Sequence, residues 1–283
     1  MLGLAIFTIG LIAIAILVTY PKLPPLDSLQ HYQPKMPLTI YSADGQIIGV
    51  YGEQRREFTK INDFPDILKN AVIAAEDKRF YEHWGVDVWG IARAAISNIV
   101  AGGVQSGAST ITQQVAKNFY LSSERTFTRK FNEALLAYKI EQSLSKDKIL
   151  ELYFNQIYLG QRAYGFTSAA QIYFNKNVKD LTLAEAAMLA GLPKAPSAYN
   201  PIVNPERAKL RQTYILNNML EEGMITSQQR DDALKEELHY ERFVQKIDQN
   251  ALYVAEMVRQ ELYEKYGEEA YTQGFHVYTT VNT

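Results

Sequence analysis

The stretch from residue 125 to residue 140 reads RTFTRKFNEALLAYKI and is typical of an amphipathic helix. Large apolar residues recur three or four positions apart and predict one buried stripe; they are Phe127, Phe131, Leu135 and Tyr138. Glu133 lies on the adjacent stripe, with Lys130 one turn before it and Ala137 one turn after it. The helix therefore carries an acid between a cation and an apolar surface, although an ordinary surface pair of Lys130 with Glu133 is the alternative.

Helical patterns continue on both sides of this stretch, over about residues 62–238. Capping residues predict the helix starts, which are Asn62 or Asp63, Asp87, Ser109, Ser122 or Ser123, Thr182 with Glu185, Asn204, and Thr226 with Gln229. A β-hairpin is predicted over residues 37–53 with its turn at Gly45. A last helix over about residues 250–266 precedes a strand over residues 274–281. We expect a mainly α protein with a small β element formed by the hairpin and this C-terminal strand.

The first twenty residues contain no charged side chain and consist mostly of leucine, isoleucine and alanine. A helix of about that length crosses the ~30 Å hydrocarbon core of a bilayer. We therefore expect a transmembrane anchor over residues 1–20 and a proline-containing spacer over residues 21–36. A cleaved signal peptide is the alternative, but the segment lacks a basic leader and a small-residue cleavage site.

The overall composition is that of an ordinary globular protein, with 47% hydrophobic and 21% charged residues among 283. The formal net charge of −2 gives no general attraction for nucleic acid, so we expect no nucleic-acid partner. The chain has no cysteine, which excludes disulfides, thiolate metal sites and cysteine nucleophiles. An anionic ligand must then be held by a local group of cations, and the sequence offers Lys117, Arg125, Arg129 and Lys130.

A second candidate acid lies in residues 75–83, which read AEDKRFYEH. Glu76 and Asp77 come at the far end of a helix predicted to begin near Pro65. A carboxylate there faces the negative end of the helix dipole, which makes it more basic and suits a general base. Solvated surface charge is the alternative for both acids, and a structural role is the alternative for His83.

A third candidate stretch covers residues 107–114, which read GASTITQQ. A loop containing glycine leads there into a helix start rich in hydroxyl and amide side chains. Free backbone N–H groups at a helix start bind phosphate or sugar oxygens well. A simple helix cap without a ligand is the alternative.

Taken in this order, the stretches 75–83, 107–114 and 125–133 resemble the first three motifs of the peptidoglycan glycosyltransferase family (glycosyltransferase family 51). Residues 150–160, LELYFNQIYLG, resemble its fourth motif, and residues 187–193, AMLAGLP, resemble its fifth. The resemblance extends over about Pro37 to Glu222. The flanking segments Tyr41–Gly45 and Met257–Glu261 resemble the N-terminal part of class A penicillin-binding proteins of the 1A type.

This resemblance implies a lysozyme-like helical fold and an enzyme that polymerises lipid II into β-1,4-linked glycan strands with release of undecaprenyl pyrophosphate. The implied catalytic residues are Glu76, which would deprotonate the acceptor 4-hydroxyl, and Glu133, which would orient cations, bind a divalent cation or assist departure. The implied substrate-binding residues are Asp77, Ser109, Gln114, Lys117, Arg125 and Lys130. A magnesium or manganese ion is compatible with this scheme, but no ligand cluster in the sequence requires one.

The resemblance also implies a glycosyltransferase domain over residues 37–240, then a linker helix and strand over residues 241–283 that lead to a missing transpeptidase domain. The Ser-x-x-Lys, Ser-x-Asn and Lys-Thr-Gly trio of that domain is absent, and the match of Ser143 with Lys146 to the first is attributed to chance. We expect a single-pass protein of the bacterial inner membrane with its catalytic domain on the periplasmic side. The expected partners are lipid II, the growing lipid-linked strand, the bilayer and other cell-wall synthesis proteins.

Tryptophans and branched apolar residues concentrate in one segment, over residues 84–104. Trp84 and Trp89 precede a run of isoleucine and valine, and amphipathic aromatic rings favour a membrane interface. We expect about residues 88–104 to enter the lipid interface, with ordinary core packing as the alternative.

Two other functions are compatible with parts of the pattern. A lytic enzyme of similar fold would need one acid facing a glycosidic bond and no cationic site for a pyrophosphate, which the pairing of Lys130 with Glu133 disfavours. A non-enzymatic membrane scaffold would not need Glu76.

Overall fold

The computed structural model describes residues 2–30, 32, 34–52, 56–100, 109–121, 124, 126–240, 243 and 251–283. Within them the protein is mainly helical with one three-stranded sheet, so the mainly α prediction is confirmed. The chain forms two compact units. The first contains Met1–Tyr32 and Glu76–Tyr153, and the second contains Gln33–Ala75 and Phe154–Thr283.

The helices in chain order are α1 (Leu2–Thr19), α2 (Asp27–Gln30), α3 (Asp66–Glu76), α4 (Val88–Val100), α5 (Ile111–Tyr120), α6 (Phe127–Ser143), α7 (Lys146–Gln156), α8 (Phe166–Phe174), α9 (Leu183–Ala190), α10 (Pro205–Glu221), α11 (Ser227–Lys235) and α12 (Leu252–Tyr266). The strands are β1 (Leu38–Tyr41), β2 (Ile47–Tyr51) and β3 (His276–Tyr278). Short 3-10 turns join several of these elements.

Side-chain caps determine where several helices begin. The predicted capping boxes of α9 and α11 are present, and they pair Thr182 with Glu185 and Thr226 with Gln229. α10 starts at Pro205 behind Asn204, as predicted. α5 starts one residue later than predicted, because Thr110 rather than Ser109 is its N-cap and forms a capping box with Gln113.

The predicted buried stripe of α6 is wrong at its two ends, whereas Leu135 is buried as predicted. Phe127 is 98% exposed and Tyr138 is 42% exposed. The buried residues of α6 are Glu133, Leu135, Leu136, Ala137 and Ile140. Periodicity identifies residues that share a face, but it does not say which face meets a neighbour. Here α6 packs against α5. The N-cap of α6 is Thr126. The predicted starts Ser122 and Ser123 lie outside the described residues.

The sheet belongs to the second unit and has the strand order β2-β1-β3. β1 and β2 form the predicted antiparallel hairpin, in which Gly45 has a φ of +83° in the turn. β3 is shorter than the predicted strand and pairs in parallel with β1. α12 covers the sheet through a small apolar core, which contains Leu38, Ile40, Ile48, Ala251 and Ala255.

α3 leads the chain to Glu76. Its buried face consists of Leu68, Ala71, Val72, Ile73 and Ala74. The last carbonyl groups of a helix lack partners within the helix, and α10 supplies them here. The Asn218 side chain donates to the carbonyl oxygen of Ala74 at 3.1 Å, and that of Arg211 donates to Ala75 at 3.5 Å. The end of α3 is therefore fixed immediately before Glu76.

Among the side chains that the structure describes, no helix is both long enough and apolar enough to cross a bilayer. Met1 and several side chains of α1 lie outside that set. The anchor expected over residues 1–20 therefore stays a prediction.

Candidate active site

Glu76 is the last residue of α3, the helix end at which the sequence placed it. Its Oε2 accepts a hydrogen bond of 2.9 Å from Nε2 of Gln114 on α5. The Tyr153 hydroxyl donates to Oε1 of the same amide at 3.4 Å, which turns the amide nitrogen toward the acid. The carboxylate of Glu76 is therefore held against the second turn of α5.

Asp77 follows Glu76, and its carboxylate is buried and hydrogen-bonded within the protein. Only 7% of the residue is exposed. Its Oδ2 accepts from the backbone N–H of Ile111 at 3.0 Å, and its two oxygens lie 2.9 and 3.0 Å from Nε2 of His83. A carboxylate at the start of α5 satisfies an N–H group that has no partner within the helix. A contact of Asp77 with substrate stays a prediction, and its burial favours a role in fixing the chain next to Glu76.

His83 connects Asp77 to Gly85 through its two ring nitrogens. Its Nδ1 accepts a hydrogen bond of 3.2 Å from the backbone N–H of Gly85, so the ring proton is on Nε2 and points to Asp77. The carbonyl oxygen of Gly85 accepts from the Thr110 hydroxyl at 2.6 Å. The segment from Asp77 to Gly85 is thus bound to the start of α5 at both of its ends.

Glu133 is buried between two cations. Only 4% of its side chain is exposed, and its two oxygens bond to Arg129 Nη1 and Lys130 Nζ. Lys130 Nζ also donates to the Ser109 hydroxyl at 2.7 Å. Two positive charges and one negative charge meet here, so the group has an excess of positive charge.

The start of α5 connects the two acids. Gln114 bonds to Glu76, and Ser109 bonds to the Lys130 that bonds to Glu133. Ser109 and Gln114 are five residues apart, and the helix begins between them. The two acids therefore lie near the same end of one helix, within the same compact unit.

The other predicted site residues are less well defined. Lys117 is exposed on α5, three positions after Gln114 and therefore on the same side of the helix. Arg125 lies outside the described residues. No group of three or more histidine, aspartate or glutamate side chains arranged to hold a metal ion occurs in the described part of the chain. The metal requirement stays untested.

Arg129 was predicted from the sequence as one of four cations for an anionic ligand, and the structure pairs it with Glu133, four positions further along α6. One residue of the site, Tyr153, was not among the predicted ones. Tyr153 approaches Gln114 from a position 39 residues away in the chain, and nothing in the local sequence indicates that contact.

Comparison with known proteins gives consistent matches. A family model described as Transglycosylase matches residues 44–220. The chain is 88% identical over 282 residues to penicillin-binding protein 1A of Neisseria cinerea, covering 100% of this chain and 35% of that protein. It is 50% identical over 269 residues to penicillin-binding protein 1A of Pseudomonas aeruginosa, covering 95% of this chain and 33% of that protein. The chain thus spans about a third of the length of the curated relatives it matches.

A solved structure is also similar. The crystal structure of penicillin-binding protein 1A from Haemophilus influenzae matches with a TM-score of 0.50 and 33% sequence identity. The match covers 87% of this chain and 27% of that one.

Proposed function

This chain belongs to the transglycosylase family, and from this premise we propose that it is a peptidoglycan glycosyltransferase that polymerises lipid II into β-1,4-linked glycan strands. The surroundings of the two acids support the proposal independently of family membership. Two acids with different surroundings lie near the start of α5: Glu76 bonds to an amide, and Glu133 lies between two cations. An inverting glycosyl transfer to a hydroxyl needs a proton acceptor and positive charge at the leaving group.

In the proposed reaction, Glu76 is the general base. The 4-hydroxyl of the acceptor sugar loses its proton to the Glu76 carboxylate as its oxygen attacks the anomeric carbon of the donor. The bond from that carbon to the undecaprenyl pyrophosphate breaks, and the pyrophosphate leaves from the opposite face with the bonding electrons. The attack inverts the anomeric centre from α to β. Gln114 holds the carboxylate in place for this step.

The cations beside Glu133 receive the pyrophosphate. Nε of Arg129 is buried and has no hydrogen-bond partner among the described residues, which leaves an N–H donor for a phosphate oxygen. Lys130 reaches Ser109, so a phosphate there would meet an ammonium group and a hydroxyl together. Glu133 keeps the two cations in place. We assign Lys117 and Arg125 to the same leaving group and Ser109 to the donor sugar.

The proposal also includes four features that were inferred from the sequence. They are the lysozyme-like topology, the anchor over residues 1–20, the location on the outer side of the inner membrane, and contacts with other cell-wall synthesis proteins. Both lipid substrates stay in the bilayer, so an active site near the interface is a physical requirement of the reaction.

The exposed apolar surface of α4 and of the turn before it supports membrane contact. Trp84 and Trp89 are 71% and 72% exposed, and Ile99 and Val100 are 80% and 83% exposed. Core packing does not account for side chains this exposed, and apolar groups of this size favour a lipid interface. Residues 101–104 of the predicted interfacial segment lie outside the described residues.

We expect the double substitution Ile96→Asp and Ile99→Asp to withdraw α4 from lipid, because a carboxylate is costly to bury in an apolar environment. The measurement uses the full chain in vesicles with brominated lipids, which quench tryptophan fluorescence. Quenching should fall at least about twofold, and lipid II polymerisation should fall at least about tenfold, roughly the loss expected when a substrate is misplaced.

Leu210→Asp is the matched control, since Leu210 is 72% exposed on α10 in the second unit. Leu210→Asp should change neither the quenching of tryptophan fluorescence nor the rate of lipid II polymerisation. Lost polymerisation with unchanged quenching in the α4 variant would count against the proposed contact.

Incubation of the purified chain with lipid II tests the proposed reaction against the lytic alternative. We expect glycan polymer from lipid II and no soluble fragments from purified peptidoglycan. Soluble fragments without polymer would assign the chain to the lytic class. Neither product would favour a scaffold.

A further inference from the structure

An ion pair in the first unit has no part in the proposed mechanism. It joins Glu141, in the last turn of α6, to Lys146, the first residue of α7, with 2.7 Å between Nζ and Oε1. The side chain of Glu141 is 6% exposed, and that of Lys146 is 19% exposed. A charged pair removed from water to this extent is costly to form, and an apolar pair of similar volume often serves stability equally well. A contribution to stability therefore does not by itself explain why the protein has this ion pair.

Lys146 binds the segment that follows Glu76. Its ammonium group donates to the carbonyl oxygen of His83 at 2.6 Å and lies 4.6 Å from the centre of the Phe80 ring. Phe80 is fully buried. One cation thus fixes both the backbone and a core ring of the segment between Asp77 and Gly85.

Glu141 binds the other side of the site. Its Oε1 accepts a hydrogen bond of 2.7 Å from the Thr112 hydroxyl, in addition to the bond from Lys146. Thr112 lies in the first turn of α5, two positions before Gln114. The ion pair therefore connects the segment that follows Glu76 to the helix whose amide holds the Glu76 carboxylate.

The apparent Ser-x-x-Lys motif does not describe this lysine. The Ser143 hydroxyl donates to the carbonyl oxygen of Lys139 at 3.1 Å, whereas the Lys146 ammonium is bound to Glu141 and His83. The serine and the lysine thus have separate partners within the described part of the chain. A role for Lys146 must come from its own contacts.

We propose that Lys146 and Glu141 are positioning residues that set the placement of Glu76 against Gln114 by tying the Asp77–Gly85 segment to the first turn of α5. The inference rests on the proposed function, because positioning is measured through the reaction. A misplacement of about 1 Å in a catalytic group can cost about a hundredfold in rate. The hydrogen bonds of Lys146 and Glu141 prevent such a shift.

Lys146→Met and the double substitution Lys146→Met with Glu141→Leu separate positioning from stability. The single variant leaves a buried carboxylate without its cation, so its melting temperature should fall. The double variant removes both charges, so its melting temperature should return to within a few degrees of the parent. In both variants kcat for lipid II should fall at least about tenfold, with KM within about twofold of the parent.

Lys148→Met is the matched control. Lys148 is two positions further along α7 and pairs with Glu151 at 2.7 Å, so this change also removes one lysine ion pair from the same helix. Its ammonium group makes no bond to the Asp77–Gly85 segment or to α5 among the described residues, and kcat should equal that of the parent.

Trp84 provides a readout that does not depend on activity, because it lies next to His83 in the tied segment. The chain has two tryptophans, so Trp89→Phe leaves Trp84 as the only one. In that background, Lys146→Met combined with Glu141→Leu should lower the fluorescence anisotropy of Trp84, and Lys148→Met should leave it unchanged.

Recovery of kcat together with the melting temperature in the double variant would overturn the inference, and so would an unchanged Trp84 anisotropy. A parent chain that forms no polymer from lipid II would instead refute the proposed function. The anisotropy result would still decide whether the ion pair fixes the segment.

Discussion

Replacing Glu76 with glutamine is expected to lower the rate of lipid II polymerisation by about 10²–10⁴-fold, the range that a positioned general base contributes. Glutamine has nearly the same shape, and its carbonyl oxygen can still accept the hydrogen bond that Gln114 donates to Oε2. What it loses is the ability to take a proton from the acceptor hydroxyl. The measurement is the initial rate with fluorescently labelled lipid II, together with circular dichroism to confirm that the fold is intact.

Glu82→Gln is the control for this change, because Glu82 lies in the same segment but its side chain is 65% exposed and pairs with Arg79 at 2.8 Å. A surface ion pair contributes about 0–1 kcal/mol, so both the rate and the stability should stay close to those of the parent. Parental polymerisation by the Glu76 variant would contradict the assignment of Glu76 as the base.

The second large effect is expected from Gly85→Ala, which should destabilise the protein by about 2–6 kcal/mol. Gly85 has a φ of +90°, a conformation that costs an alanine about 1–3 kcal/mol. An added Cβ would also lie 2.7 Å from the backbone carbonyl of Ala137 on α6. Overpacking of this kind costs about 1–3 kcal/mol more. Urea unfolding followed by circular dichroism measures the free energy of unfolding.

Gly45→Ala separates the two causes. Gly45 has a similar φ of +83°, but apart from its two chain neighbours no atom of the described residues lies within 4 Å of the position that its Cβ would occupy. In Gly45→Ala the free energy of unfolding should therefore fall only by the conformational cost of the positive φ, about 1–3 kcal/mol. Equal losses in the two variants would mean that the contact between Gly85 and α6 contributes nothing.

Much of the local structure was predictable from the sequence. Capping boxes and the glycine turn depend on residues a few positions apart, and the structure contains them. The resemblance to the glycosyltransferase family is confirmed by the family model and by the relatives, because five stretches in a fixed order form a pattern that chance rarely produces. The pairing of Lys130 with Glu133 follows from helical spacing alone.

The errors and omissions share a physical cause. The pattern of α6 predicted a buried Phe127, yet that ring is 98% exposed, and the small Ala137 lies where the backbone of Gly85 approaches. The amphipathic period of a helix gives the angle between its faces, but the partner that covers a face comes from another part of the chain. Sequence spacing could not show which face of α6 would be covered.

Local sequence patterns were enough to predict most helices, several of their caps, the family, and the two acids as separate candidates. The packed structure was needed to show that Glu76 bonds to Gln114 on α5 and that Asp77, His83 and Lys146 hold the segment after Glu76 in place. This division follows from the range of the interactions. Caps and helical pairs act over three or four residues, whereas the contact from Lys146 to His83 joins positions 63 residues apart and exists only once the helices have packed.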